Sequence, residues 1–366
     1  MEDTLTITAR KAVLTGLAMV GATAILAGCG TAPSATSTKS AGKSSYVPCM
    51  VSDAGGFDDK SFNQLGLEGL ESAASSIGAT PKKVESADQT VYASNISSLV
   101  NQKCNLIITV GFLLADATKA AASANPSIDF ATIDDSSTTA DNVRPITFDT
   151  SQAAFLGGYA AAAYSKTGVV GTFGGAQIPT VTIFMDGFAD GVAYYNSQKN
   201  KDVKVVGWDV DSQKGVFTGG FDAGTAAKQA AQTLIDQDAD VILPVGGPIY
   251  QSAAQAAKTA NASGKSIVLE GADSDTFETD PANSSLFLTS VEKGIAQATK
   301  AVVLDSAKGS FTNTPYVGTL KNDGVGIAPF HDYAKKIPST LPAELDKIKA
   351  GIIDGSITVK SPAVSK

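Results

Sequence analysis

The chain has 366 residues, 43% apolar and 17% charged, a balance that excludes a disordered tail and a multi-pass membrane protein. Asp and Glu outnumber Lys and Arg by 36 to 28, for a formal charge of −8, and no basic stripe offers a nucleic acid a footing. Histidine occurs once, at His331, which excludes any catalytic scheme or zinc site that needs two histidines from one chain.

Arg10 and Lys11 open the chain's first organised segment, followed by an uncharged, mostly apolar run from Ala12 to Ala27. The run is shorter than the ~20 residues a spanning helix needs. It ends in Leu26, Ala27, Gly28 and Cys29, which resembles the bacterial lipoprotein signal, where cleavage leaves the cysteine as a lipid-bearing N-terminus. Residues 1–28 are therefore expected to be a signal peptide, Cys29 the lipidation site, and residues 29–45, rich in Ser, Thr and Ala, a flexible tether.

From Tyr46 onward short apolar runs alternate with Ala-rich amphipathic stretches. The runs are 46–51, 105–110, 128–134, 168–173, 203–208, 241–245, 266–270 and 286–290, each short enough for a buried strand. The helical stretches between them include 62–77, 155–164, 223–235, 250–262 and 293–304. Strands separated by helices of this length make βαβ units and parallel sheets, and two sheets fit the count better than one. Export to an oxidising compartment leaves Cys49 and Cys104, on the first and third strands, either as a disulfide across neighbouring strands or as two buried thiols.

Ligands of doubly wound sheets sit beyond the C-terminal strand ends. The residues there are Ser52 to Gly56, Gly111 with Phe112, Asp134 with Asp135, Gly174 with Gly175, Gly246 to Pro248, Gly271 to Asp273, and Ser290 with Lys293. Glycine allows close backbone approach and the aspartates supply acceptors. One Asp after a strand is often only a helix cap, but Asp53, Asp134 and Asp273 recur at equivalent strand ends.

The stretch Asp53–Gln64, DAGGFDDKSFNQ, followed by Gly69, resembles the opening motif of the basic membrane protein family. These are lipoprotein solute-binding components of ABC importers, whose characterised branch binds purine nucleosides. Further matches follow in order at Phe130–Asp134, Asn142 with Val143, Phe155–Ala161 (FLGGYAA), Gly187–Gly191 (GFADG), Gln237–Ile242, Leu288–Lys293 (LTSVEK) and Gly324–Ala328. The resemblance implies an α/β type I periplasmic-binding-protein fold, with two doubly wound parallel-sheet lobes joined by a multi-strand hinge. An N-terminal lobe would span 46–150, with about 272–318 returning to it, and a C-terminal lobe 151–271, with about 319–366 returning to it.

Carried over by motif position, Phe62 would stack on one face of a nucleobase, with Phe188 or Phe221 on the other. Asn63 and Asp134 would bond the base edge with support from Asp53, while Asp273 and Lys293, helped by Gly246 and Gly247, would hold the ribose. A flat π surface and a diol suit aromatic stacking and a carboxylate grip. The resemblance implies a monomeric receptor at the extracytoplasmic face of a bacterial membrane, working with a permease and an ATPase on other chains and with no cofactor. Other readings in view are a receptor for another neutral ring compound or a sugar, and a sensory or adhesive surface lipoprotein. Enzyme readings fail: Gly264 to Ser266 lacks the preceding glycine of a phosphate loop, and no Gly-x-Ser-x-Gly elbow has a usable histidine partner. Asp273 and Asp275 lie in no EF-hand loop.

Overall fold

A computed structural model describes residues 44–363 of the chain. The expected signal peptide, Cys29 and nearly all of the tether lie outside the described residues. Among the described residues no helix is long and apolar enough to cross a membrane.

The chain begins with β1 (Pro48–Val51), α1 (Phe62–Ser76), β2 (Lys82–Val84), α2 (Tyr92–Asn101), β3 (Leu106–Val110), α3 (Ala115–Ala124), β4 (Asp129–Ile133) and β5 (Val143–Phe148). It continues with α4 (Thr150–Tyr164), β6 (Val169–Gly174), α5 (Pro179–Lys199), β7 (Lys204–Val206), the small hairpin β8 (Trp208–Asp209) and β9 (Lys214–Gly215), α6 (Thr225–Asp236), β10 (Val241–Val245) and α7 (Ile249–Ala262). The last part holds β11 (Val268–Asp273), α8 (Thr276–Thr279), β12 (Phe287–Lys293), α9 (Ile295–Ala307), β13 (Tyr316–Gly318), β14 (Val325–Ile327) and α10 (Leu341–Asp354).

Two six-stranded sheets result, in the orders β13-β5-β4-β3-β1-β2 and β14-β12-β11-β10-β6-β7. Without its outermost returning strand, each is a parallel 2-1-3-4-5 sheet whose ligand crevice falls at the switch point between its first and third strands. The lobes are therefore copies of one pattern, β4 of one corresponding to β11 of the other. The chain passes between them after β5, after β12 and between β13 and β14. The three passages are tied to one another, Asp149 N–H donating to Gly318 O and Gly294 N–H to Gly324 O, each at 2.8 Å. This is the multi-strand hinge.

Cys49 and Cys104 are bonded, with Cα atoms 6.0 Å apart, across the β1–β3 side of the first lobe. The segment 272–318 does not return to the first lobe as a block. β12 belongs to the second sheet, and the return comes only at Gly294, the passage into α9. Lys293 accordingly ends a strand, whereas the apolar spacing had put it in the first turn of a helix; α9 starts at Ile295.

Glycines set the helix contacts. A Cβ on Gly158 would stand 1.9 Å from Phe188 O, and one on Gly191 2.0 Å from Phe155 O, so α4 and α5 touch backbone to backbone. The FLGGYAA and GFADG motifs are this contact. Gly69 serves the same purpose between α1 and α9, where a Cβ would meet Ala296 O at 2.4 Å.

Candidate functional site

Between the lobes, the strand ends line one cleft. From the first lobe come Asp53, Asp59, Phe62, Asn63, Gly111, Phe112 and Asp134; from the second come Ile178, Thr180, Val181, Phe184, Phe221, Gly246, Gly247, Asp273 and Lys293.

The turn after β1 is built around carboxylates. Asp59 accepts from the backbone N–H groups of Ser61, Asn63 and Gln64 at 2.8–3.1 Å, satisfying the free donors that open α1. Asn63 is locked inside this turn: its amide nitrogen donates to Asp53 Oδ1 at 2.7 Å and Asp59 Oδ2 at 3.0 Å, and its oxygen accepts from Asp53 N–H. Both amide hydrogens are thus occupied, which makes Asn63 a positioning residue for Asp53 rather than a free donor toward a ligand. Asp53 Oδ1 also accepts from Gly55 N–H at 2.9 Å, while no protein donor reaches Oδ2 among the described residues. Burial pushes Asp53 up to about 6, against the hydrogen bonds from Asn63 and Gly55.

Lys293 is the electrostatic centre. Its side chain is 3% exposed, and its Nζ lies 2.6 Å from Asp134 Oδ2 and 3.3 Å from Asp273 Oδ1, one carboxylate from each lobe. The Asp273 contact is the longer of the two, and Lys293 is the one cation that carboxylate meets among the described residues. Burial works to lower the ammonium's pKa, but the two carboxylates outweigh it and the net direction is upward. Burial raises Asp134 in spite of the Lys293 charge beside it. The rings of Phe184, Phe62 and Phe148 surround the ammonium at 4.9, 5.3 and 5.8 Å from their centroids.

On the second lobe's side, the Phe221 ring packs close against two glycines; a Cβ on Gly175 or Gly246 would come within 2.3 or 2.6 Å of it. Gly246 also sits at φ 130°, in a region closed to residues with a side chain.

Of the residues expected at the site, Asp53, Phe62, Asn63, Asp134, Phe221, Gly246, Gly247, Asp273 and Lys293 all line the cleft. Phe188 does not. It is fully buried where α5 crosses α4, and Phe184, one turn earlier on α5, faces the cleft instead. Phe188 came from its motif position; one turn separates the two rings, and the strand end before α5 decides which turn meets the opening. Asp59 and the α5 entry at Ile178–Val181 were also missed, although a helix start next to a strand end is a signal for both.

A cleft between two doubly wound lobes on a three-passage hinge, with acceptors and rings converging from both sides, defines a solute-binding protein. The profile of the family described as ABC transporter substrate-binding protein PnrA-like (Bmp) matches residues 46–361. The chain belongs to this family, and is a substrate-binding protein of an ABC transporter rather than an enzyme.

Among its relatives is the ABC transporter nucleoside-binding protein BmpA of Lactococcus lactis subsp. cremoris, 29% identical, the match covering 96% of this chain and 99% of that one. Basic membrane protein A1 of Borrelia garinii subsp. bavariensis is 31% identical, over 83% of this chain and 86% of its own length. A crystal structure of an ABC transporter solute-binding protein from Aeropyrum pernix K1 superposes with a TM-score of 0.78 at 25% identity, covering 87% of this chain and 94% of the other.

Proposed function

We propose that the chain is a lipid-anchored receptor on the extracytoplasmic face of a bacterial membrane, and that it captures a neutral purine nucleoside between its lobes for a permease and an ATPase on other chains. The observation that carries the ligand class is the surplus of acceptors. Asp53 Oδ2 has no protein hydrogen-bond donor among the described residues, and Asp273 meets only the Lys293 ammonium, a cation whose charge Asp134 offsets as well. Such a site favours a neutral molecule rich in N–H and O–H donors and disfavours a phosphate. Phe62, Phe184 and Phe221 supply apolar walls for a flat ring. The name of the Lactococcus relative, a nucleoside-binding protein, agrees with this reading.

Calorimetry of the purified chain against nucleosides, nucleotides, sugars and flavins tests the ligand. Saturable heat with ribonucleosides supports the proposal, and heat only with a sugar or flavin overturns it. The anchor is tested separately: Cys29→Ser should release the protein from the membrane fraction, and retention of that variant would overturn lipidation at Cys29.

A further inference from the structure

Two residues beyond Asp273 the chain enters α8, and a second polar cluster begins. Donor atoms of Asp275, Glu278 and His331 all lie within 4.8 Å of one another. His331 Nε2 is 2.7 Å from Asp275 Oδ2, and the imidazole stacks on Phe277 with centroids 4.0 Å apart and planes 5° from parallel, which fixes the plane of the ring. The backbone of His331 is bent into the left-handed region, φ 38°, to deliver that ring. The other oxygen of Asp275, Oδ1, is shielded from solvent and has no hydrogen-bond partner among the described residues. Glu292 lines the same groove from β12. Among the described residues no lysine or arginine forms an ion pair with Asp275, Glu278 or Glu292. A half-buried knot of carboxylates thus faces one imidazole with no lysine or arginine paired to it among the described residues.

We propose that Asp275, Glu278 and His331 form a binding site for a divalent metal ion of the zinc type. One nitrogen and two carboxylate oxygens are a donor set that zinc accepts, with a further position left for Glu292 or water. Calcium and magnesium take oxygen shells, so an imidazole at the centre of the cluster argues against them. Around a tetrahedral zinc, ligand atoms about 2.1 Å from the ion stand about 3.4 Å apart, so the 2.7 Å Asp275–His331 contact opens slightly and atoms up to 4.8 Å apart draw in by about 1.4 Å at most. None of Asp275, Glu278 and His331 lines the solute cleft, and the groove beside them meets it at Asp273 and Lys293.

Because His331 is the chain's only histidine, a tag-free preparation gives one pair of imidazole C–H signals in the NMR spectrum, Hδ2 and Hε1, and Hε1 is the signal to follow. Addition of ZnCl2 should shift that signal, saturate near one equivalent, and raise the melting temperature, as any ligand of the folded state does. Calcium at the same concentration should do neither. His331→Ala should weaken zinc binding by about tenfold or more. Glu278→Gln, at an exposed position that carries little of the fold, should weaken it as well, with an unchanged circular dichroism spectrum. An unmoved His331 signal at tenfold excess zinc, equal zinc affinity in wild type and either variant, or saturation by calcium and not by zinc would each overturn the assignment.

Discussion

Asp134 and Asp273 end corresponding strands of the two lobes, both with left-handed backbones at φ 62° and 70°, and both reach the same ammonium, Lys293 Nζ, at 2.6 and 3.3 Å. A non-glycine residue in that region costs on the order of 1 kcal/mol or more, so the repetition of the strain at matched positions points to what those carboxylates do. The pair converges from opposite lobes on one cation, which makes Lys293 the electrostatic tie across the cleft. Removing it strands two buried acids. Lys293→Met is expected to lower stability by about 3–5 kcal/mol in urea unfolding. The double variant Lys293→Met/Asp134→Asn should regain much of that loss, and neither should bind solute. Wild-type stability in the single variant would mean that the ammonium is not needed to hold the carboxylates.

Glu270 offers a second, independent test, because it is fully buried in β11 with neither oxygen hydrogen-bonded, and burial pushes it up to about 8. The unfolded chain releases this proton near 4.5, its ordinary value. Between these two values the folded form holds a proton that the unfolded form lacks, so this group's stabilisation is complete below about 4.5 and declines as pH rises toward about 8. Glu270→Gln keeps the shape without the charge. Its melting temperature should exceed wild type at pH 8.5, and the gap should close near pH 4. A constant difference across that range would show that the carboxyl does not titrate with folding.

The disulfide is the third. The Cys49–Cys104 bond closes a 55-residue separation, for which chain entropy suggests a contribution on the order of 4 kcal/mol. Both cysteines are buried, so Cys49→Ala/Cys104→Ala also loses packing. Its urea midpoint should drop sharply, and wild type under strong reductant should drop nearly as far. Equal midpoints with and without reductant would mean that the bond constrains nothing in the unfolded chain.

Much of this architecture was legible from strand periodicity. The runs at 105–110 and 241–245 fall on β3 and β10 because both are central, apolar on both faces and bounded by turns. The strands that escaped notice lie at edges or carry polar residues. β2 contains two lysines, and β13 and β14 have three residues each. β5 contains Arg144 and Pro145, which break its apolar run; Pro145 is tolerated because β13 pairs only with Ile146 to Phe148, leaving the proline beyond that pairing. In the site, the strand-end aspartates were readable because position along a strand fixes direction. Phe188 was misplaced because Phe184 and Phe188 follow one another by one turn on α5, and the α4–α5 glycine contact, a tertiary event, buries the later of the two.

That difference between the two phenylalanines predicts opposite phenotypes. Phe62→Leu keeps an apolar side chain against the core but removes the ring that borders the cleft, so nucleoside affinity should fall by ~1–3 kcal/mol, the scale of base–aromatic stacking, with a small change in melting temperature. Phe188→Leu should do the reverse. It opens space in the α4–α5 contact, lowers the melting temperature and leaves affinity near wild type. Calorimetry and thermal melts on the same two preparations separate the cases. A binding loss in Phe188→Leu equal to that in Phe62→Leu would undo the assignment of the cleft wall.

The last prediction concerns how the sugar is held. Asp273 brings into the cleft a carboxylate whose one polar side-chain partner among the described residues is the Lys293 ammonium, and the diol of a ribonucleoside carries two hydroxyls to share that carboxylate. A bond to a charged acceptor is worth roughly twice a neutral one, so losing one hydroxyl in a 2′-deoxynucleoside should weaken binding by about 1.5–3 kcal/mol, a factor of ten or more. Asp273→Asn keeps the size of the group but removes its charge and replaces one acceptor with a donor. Ribonucleoside affinity should then fall much further than deoxynucleoside affinity, and the selectivity between them should shrink toward unity. The comparison of two ligands on one variant cancels any general loosening of the fold, because a damaged lobe weakens both alike. If Asp273→Asn lowers both affinities by the same factor and the preference for ribose survives, the diol is held by other groups and Asp273 serves only to balance Lys293.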